Sequence, residues 1–261
     1  MQELIVELRR LYLLDEQQCF EGGDREAPLP LSASRLEQHL LGVRTVALAL
    51  HSPAGLGRAI VLDFSAGGAG RGEQQWRALC DTANALRDRY QLPAPAVSIS
   101  GHGFQLWLSL REPQPAGRIA EFAGLLQRAC LPDPLKLDAA NGSLAAVVEL
   151  PPGRQANGKW SAFIHPGMGA SFADDPALEM APPISAQLGF LEGLQSIAPA
   201  AFEGALGQLR REQGVGGSVE PAAGLSRPEG GVLLHEASLE QIVSELHARR
   251  IEPSFRHLLP G

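Results

Sequence analysis

Lysine is almost absent from this chain of 261 residues. Lys136 and Lys159 are the only two, so arginine supplies nearly all of the positive charge. The formal net charge at pH 7 is −7. Proteins that coat nucleic acid through bulk electrostatics rely on clustered lysine and arginine, and this composition excludes that class. Any contact with nucleic acid must therefore be local.

Cysteine is also scarce and has none of the spacings that mark a metal or disulfide site. Cys19, Cys80 and Cys130 are far apart and form no CxxC motif, which argues against a zinc site and a disulfide framework. Long apolar runs are missing too, since nothing approaches the roughly 20 residues that a membrane helix needs. No basic segment precedes an apolar one at the N-terminus. We therefore expect a soluble, cytoplasmic protein with no membrane partner.

The most distinctive stretch, residues 97–110, combines a glycine-containing turn with a strand pattern. The turn has the sequence Ser-Gly-His-Gly and ends at Gly103. Glycine permits positive φ or a close approach of ligand to backbone, and the N–H groups of such a turn can cradle an anion. In the strand that follows, apolar residues occupy the even positions from Phe104 to Leu110, and Gln105 lies on the opposite face. Gln105 is thus predicted to begin a strand beside a phosphate-sized turn.

Three motifs, in this order, resemble those of the archaeo-eukaryotic primase (primase-polymerase) superfamily, especially its bacterial members. An acidic strand motif lies at residues 60–65, the glycine motif at residues 100–107, and a hydrophobic-aspartate motif ends at Asp138. The resemblance covers roughly residues 20–195. It implies nucleotidyltransferase ancestry, with Asp63 and Asp138 as the residual positions of a catalytic site that binds a divalent metal.

Two positions depart from the family's pattern. Ser65 stands where the first motif has its second aspartate, and Gln105 stands where the second motif has a histidine. The resemblance implies that these positions serve the metal and the nucleotide triphosphate. A serine hydroxyl is a poorer Mg²⁺ ligand than a carboxylate, and glutamine cannot offer phosphate a positive charge. We expect Mg²⁺ or Mn²⁺ to bind weakly or not at all, so catalysis is impaired while ligand binding can survive.

The resemblance also places basic residues near the nucleotide. The loop at residues 151–158 and the strand after it supply positive side chains, and His165 is a further candidate. His102, inside the turn, is a rival to Gln105 for phosphate, and Glu149 is an alternative carboxylate. The predicted nucleotide-binding residues are Ser100, Gly101, His102, Gly103, Gln105, Arg154 and Lys159.

The order of helical and strand patterns predicts an α+β fold. We expect a primase-polymerase-like body with a mainly antiparallel or mixed central sheet flanked by helices, and a helical C-terminal tail. Ser34 is predicted to cap a short helix that ends at Gly42. Strands at residues 45–51 and 58–64 are predicted to form a hairpin. Further helices are expected at residues 2–14, 73–90, 115–129 and 184–197.

Composition changes divide the chain into three segments. Residues 1–197 are predicted to form the primase-polymerase-like domain, including its N-terminal helix. Residues 198–231, rich in Ala, Gly, Pro and Glu, are linker-like, with a short helix possible at residues 202–211. Residues 232–261 are predicted to form a helical segment that can dock on the body or on a protein partner.

Three functions remain open on the sequence. The first is a catalytically weakened primase-polymerase relative that binds nucleotide or nucleic acid, or acts as an accessory subunit, in DNA or RNA metabolism. The second is an active metal-dependent nucleotidyltransferase in which Asp63, Asp138 and Glu149 rebuild the acidic site. The third is a protein-interaction module that keeps the fold and has lost the ligand. Template type, pathway, partner and oligomeric state are left open by the sequence.

Overall fold

A computed structural model describes residues 1–21, 27–65, 71–131 and 147–214. The chain divides into two compact units, Met1–Gly216 and Gly217–Gly261, and all the described residues belong to the first. In chain order its elements are α1 (Gln2–Leu11), β1 (Gln18–Glu21), β2 (Leu29–Pro30), α2 (Ala33–Leu40), β3 (Val46–Ala49), β4 (Leu56–Asp63), α3 (Gly72–Asp88), β5 (Ala96–Ile99), β6 (Phe104–Pro115), α4 (Ala116–Cys130), β7 (Val147–Glu149), β8 (Gly153–Arg154), β9 (Trp160–Ile164), a 3₁₀ helix (Pro166–Phe172), α5 (Ile184–Glu192) and α6 (Pro199–Glu212).

Two antiparallel sheets form the framework. One has the strand order β2-β1-β3-β7, and the other has the order β4-β6-β5-β9-β8. Each pairing between these strands is antiparallel. With helices packed against the sheets, this topology confirms the predicted α+β fold with an antiparallel sheet flanked by helices.

The predicted hairpin between the strands at residues 45–51 and 58–64 is wrong. β3 pairs with β1 and β7, whereas β4 pairs with β6 in the other sheet. The chain does turn sharply between them, since the N–H of Gly55 donates to the carbonyl oxygen of Ser52 at 2.8 Å. Only one isolated bridge, His51 with Gly57, joins the two strand ends. The turn residues predicted the reversal of the chain, but they carry no information about which strand each arm would pair with.

The interior strand β6 is buried on both faces from Phe104 to Leu110. Its even-numbered residues from Phe104 to Leu110 join one hydrophobic core, together with side chains of α3, α4 and α6. Trp107, on the other face, joins a second core that contains α1 residues. There the ring of Trp107 lies 5.3 Å from that of Tyr12 and 5.9 Å from that of Phe163, measured between centroids. The predicted alternation is confirmed, and it separates two interiors rather than an interior and a solvent face.

Helix α2 is capped by Ser32, not by Ser34 as predicted. The hydroxyl of Ser32 accepts a hydrogen bond from the N–H of Arg35 at 3.2 Å. A capping side chain stands one residue before the first helical residue and bonds an N–H two or three residues on, which only Ser32 does here. The predicted end at Gly42 is confirmed by its φ of +70°. A Cβ on this glycine would lie 2.5 Å from the Trp160 ring.

Helix α6 lies within the segment at residues 198–231 that was predicted to be linker-like. Phe202, Leu206 and Leu209 are buried in the same core as α4, and Arg210 pairs with Glu121 at 2.6 Å. These contacts place α6 in the body of the first unit. Residues 215–231 and the predicted C-terminal helix at residues 232–261 lie outside the described residues. Within the described ranges, no helix is long and apolar enough to cross a membrane.

Candidate functional site

The structure brings Asp63, Ser65 and Gln105 together. Asp63 ends β4 and stands directly opposite Gln105 on β6. The side-chain amide of Gln105 donates from Nε2 to Asp63 Oδ2 at 3.0 Å. The backbone N–H of Ser65 donates to Asp63 Oδ1 at 2.7 Å. Both oxygens of the carboxylate therefore accept a hydrogen bond from within the protein.

A buried hydrogen-bond network holds the Gln105 amide in one orientation. Its Oε1 accepts from Ser98 Oγ at 3.3 Å and from Trp107 Nε1 at 3.2 Å. Trp107 Nε1 also donates to Ser98 Oγ at 3.0 Å. Ser98, Gln105 and Trp107 are each less than 5% exposed. We call Asp63, Ser98, Gln105 and Trp107 the amide cluster.

Ser98 and Trp107 had no place among the sequence-predicted site residues. One signal for them was available, since period-two alternation puts Gln105 and Trp107 on one face of the strand. A glutamine on a buried face requires partners, because an unpaired buried amide costs free energy. The indole N–H two residues on is such a partner. Ser98 comes from the neighbouring strand β5, and that pairing was not visible in the sequence.

The turn at residues 100–103 uses its own N–H groups within the protein. The N–H of Ser100 donates to the carbonyl oxygen of Gly103 at 2.9 Å, and the N–H of Gly101 donates to that of Pro176 at 2.8 Å. The Ser100 hydroxyl also donates to Gly103, at 3.1 Å. In this conformation these two N–H groups are not available to an anion. His102 is the exposed side chain of the turn.

The glycines of the turn make room for neighbouring residues of the chain. Gly101 has a φ of +78°, and a Cβ there would overlap the side-chain amide of Gln155. That amide donates to the carbonyl oxygen of Ser100. A Cβ on Gly103 would lie 2.6 Å from the Cα of Ser65. The two glycines thus allow the turn to approach Ser65 of the first motif and the loop that carries Gln155. Nothing in the sequence marked Gln155 for this contact.

The three basic candidates downstream lie in different surroundings. Lys159 Nζ contacts Asp175 at 2.5 Å and Glu179 at 2.8 Å. Hydrogen bonds to Asp175 and Glu179 raise the pKa of Lys159 to about 12, so its charge is compensated by the protein. Arg154 is exposed, and its guanidinium has no partner among the described residues. His165 Nδ1 accepts from the N–H of Gly167 at 3.0 Å and so caps the 3₁₀ helix.

The predicted metal ligands are only partly placed. Asp138 and Lys136 lie outside the described residues. Glu149, the alternative carboxylate, is exposed at the end of β7 and stands opposite Ala47 in the other sheet. The described part of the chain contains no group of three or more His, Cys, Asp or Glu that could hold a metal ion.

A shallow groove lies beside Arg154. It is formed by the turn after α2 and by the chain around β8, and its volume is about 260 Å³. Gly42, Val43, Arg44 and Thr45 line one side, and Arg154 and Gln155 line the other. We call this the arginine groove. Arg44 was not a predicted site residue.

Comparison with solved structures finds a similarity to the AEP domain of the primase-polymerase of cyanophage S-2L. The TM-score is 0.42, the sequence identity is 13%, and the match covers 73% of this chain and 97% of the phage chain. No protein-family model matches the sequence, and none of the curated proteins matches it.

Proposed function

We propose that this chain is a primase-polymerase-like protein of DNA or RNA metabolism that binds nucleotide or nucleic acid and has little or no catalytic activity. One observation supports this most directly. Asp63 and Gln105 are 42 residues apart in sequence, yet they are hydrogen bonded at the ends of paired strands. The turn at residues 100–103 and Ser65 lie beside them. Two of the three motifs thus contact each other, and this contact supports the proposal.

The chemistry of the amide cluster supports impaired catalysis. Phosphoryl transfer needs metal ions that neutralise charge on the triphosphate and align the reacting groups. At this site the position of a second carboxylate is held by Ser65, and both oxygens of Asp63 are occupied. A metal ion at Asp63 would have to share the carboxylate oxygens with the Gln105 amide and the Ser65 N–H, since each oxygen already accepts one hydrogen bond. Any Mg²⁺ or Mn²⁺ held by Asp63 and Asp138 is accordingly expected to bind weakly.

The test combines a turnover assay with a binding assay. Purified protein is given primer-template, labelled nucleotide and either Mg²⁺ or Mn²⁺, and nucleotide affinity is measured separately by calorimetry. We expect nucleotide to bind without measurable incorporation. Template-dependent synthesis that is abolished by Asp63→Ala would contradict the proposal and favour an active nucleotidyltransferase. Absence of both binding and turnover would favour a protein-interaction module.

A double substitution that should increase metal-dependent binding tests the same site. Ser65→Asp with Gln105→His restores the residue types of the family's motifs. If the pocket is otherwise intact, Mn²⁺-dependent nucleotide affinity should increase, because a second carboxylate and an imidazole are added next to Asp63. Asn84→Asp, at an exposed position on α3, controls for the added negative charge. Equal nucleotide affinities in all three proteins would argue against a nucleotide pocket at Asp63.

A further inference from the structure

The backbone on both sides of the arginine groove is held in place by contacts within the protein. The hydroxyl of Thr45 donates to the backbone oxygen of Arg154 at 2.8 Å, which ties its two sides together. Gly42 lies directly against the Trp160 ring, as its φ of +70° and the lack of room for a Cβ show. The backbone on both sides of the groove is thus anchored, while the Arg44 side chain remains 52% exposed. A rigid frame with exposed guanidinium groups lowers the entropic cost of binding a ligand.

The groove is locally positive in a protein whose net charge is −7. Arg44 and Arg154 line the groove. Among the described residues, Glu21 is the one carboxylate bonded to Arg44, and Arg35, which lies outside the groove lining, shares it. Arg44 Nη1 contacts Glu21 Oε2 at 2.7 Å, and Arg35 Nε contacts Glu21 Oε1 at 2.9 Å. Arg154 adds a guanidinium with no partner among the described residues. Because Arg44 and Arg35 share a single carboxylate, Glu21 does not fully compensate the guanidinium groups of Arg44 and Arg154 that line the groove.

We infer that the arginine groove binds the phosphodiester backbone of a nucleic-acid strand. Guanidinium groups match phosphate oxygens in a planar, two-pronged geometry. Pockets that enclose a whole small molecule usually measure about 300–1,000 Å³, and the groove, at about 260 Å³, is below that range. Its size suits one or two phosphates of a chain that passes through it.

The groove is continuous with the predicted nucleotide site. Gln155 lines the groove, and its side-chain amide bonds the carbonyl oxygen of Ser100 in the turn. A strand held at Arg44 and Arg154 can therefore run past Gln155 towards exposed His102. This inference rests on the proposed function, and it assigns Arg154 to a strand of nucleic acid rather than to a free nucleotide.

The composition of the groove also predicts how the strand is recognised. The described residues that line it include no aromatic side chain, so they offer no surface for the base stacking that is common in single-strand binding sites. The exposed Val43 at the rim, 70% accessible, offers an apolar contact of low sequence specificity. Binding through phosphate contacts alone is independent of sequence and falls steeply with salt.

The experiment is a fluorescence-anisotropy titration with a 5′-labelled oligothymidylate of about 12 nucleotides, within the usual site size of single-strand binders. A duplex of equal length is the second probe and distinguishes single strands from duplex as the source of the phosphates. Wild type is compared with Arg44→Ala, Arg154→Ala and Arg154→Lys between about 50 mM and 200 mM salt. Arg111→Ala removes an exposed arginine at the other end of β6 and is the matched control.

We expect each alanine variant in the groove to lose affinity several-fold. Its slope of log affinity against log salt should be shallower by about 0.7 per lost contact with a single strand. Arg154→Lys should keep most of the slope, since the charge remains, and Arg111→Ala should behave as wild type. Unchanged affinity and slope in Arg44→Ala and Arg154→Ala, with wild type still binding the oligonucleotide, would overturn the groove assignment and leave the proposed function standing.

Two further outcomes distinguish a failure of the groove assignment from a failure of the proposed function. If wild type binds neither oligonucleotide nor nucleotide, the proposed function fails and the inference fails with it. If a polyglutamate peptide of equal length displaces the oligonucleotide as well as unlabelled oligonucleotide does, the groove is a site for acidic protein segments and the assignment to nucleic acid is overturned.

Discussion

The amide cluster is largely buried and the arginine groove is exposed, and their polar groups are satisfied in opposite ways. In the cluster, both oxygens of Asp63 and the amide of Gln105 have partners within the protein. In the groove, the guanidinium of Arg154 is exposed and has no partner among the described residues. The difference teaches that the polar groups of Asp63 and Gln105 are paired within the fold, and our proposal therefore assigns anion binding to the rim.

Lys159 and Arg154 show the same contrast over five residues of chain. Resemblance nominated both for the nucleotide. Two carboxylates, Asp175 and Glu179, hold Lys159, whereas Arg154 faces the groove. A positive residue near a site is therefore informative only once its partners are known.

The substitution Trp107→Ala gives the strongest test of the difference between the amide cluster and the arginine groove. This substitution removes a large side chain that is 1% exposed and also a donor to Ser98 and Gln105. We expect the free energy of unfolding in urea to fall by about 3–5 kcal/mol. Arg154→Ala, in the groove, should unfold at the same urea concentration as wild type. Equal losses from the two substitutions would remove the distinction between a folding element and a binding element.

Gln105→Ala should have a smaller effect of the same kind. It leaves the Ser98 hydroxyl without its acceptor and Asp63 without one of its donors, whereas Trp107 Nε1 keeps its bond to Ser98. Buried groups left unpaired cost about 1–3 kcal/mol, again measurable as the free energy of unfolding. Gln114→Ala, near the partly exposed end of the same strand, is the control and should change little. A neutral Gln105→Ala would show that the cluster contributes nothing to stability.

Low pH should decrease the free energy of unfolding through the buried side chain of His39. Its Nε2 donates to the carbonyl oxygen of Leu150 at 2.6 Å, and its Nδ1 accepts from the N–H of Val46 at 3.0 Å, so the ring is neutral. Burial lowers the pKa of His39 below its usual 6.5. As pH falls below about 6.5 the unfolded chain takes up a proton that the folded protein does not, and the free energy of unfolding decreases by at most about 1.4 kcal/mol per pH unit for one proton.

The measurement for His39 is the free energy of unfolding at several values of pH between the usual pKa and mildly acidic conditions. Burial also lowers the pKa of His51, which acts in the same direction, so the slope of wild type is compared with that of His39→Gln. Glutamine can supply one donor and one acceptor without titrating. A shallower slope in the variant is expected, and identical slopes would exclude His39 as the titrating group.

Lys159→Ala should give the smallest effect. Its ammonium group is already bonded to Asp175 and Glu179, so little positive charge is available to a ligand. The salt dependence of oligonucleotide binding should stay within error of wild type, in contrast to Arg154→Ala. A loss of slope equal to that of Arg154→Ala would show that the lysine leaves its carboxylates when nucleic acid binds.

The amino-acid sequence by itself determined the local helices, strands and turns and their order along the chain. Alternation predicted both faces of β6, helical spacing predicted α3 and α4 near their observed bounds, and glycine predicted the turn before Gln105. These features depend on side-chain period and on backbone freedom, which are properties of a few consecutive residues.

Only the tertiary structure decided which distant residues share a site. The pairing of Asp63 with Gln105, the separation of β3 from β4 into two sheets, and the approach of Gln155 to Gly101 all join segments far apart in sequence. The same holds for the carboxylates that neutralise Lys159 and for the two arginines that line the groove. Strand partners and charge partners depend on how the whole domain packs, and a local sequence pattern does not specify them.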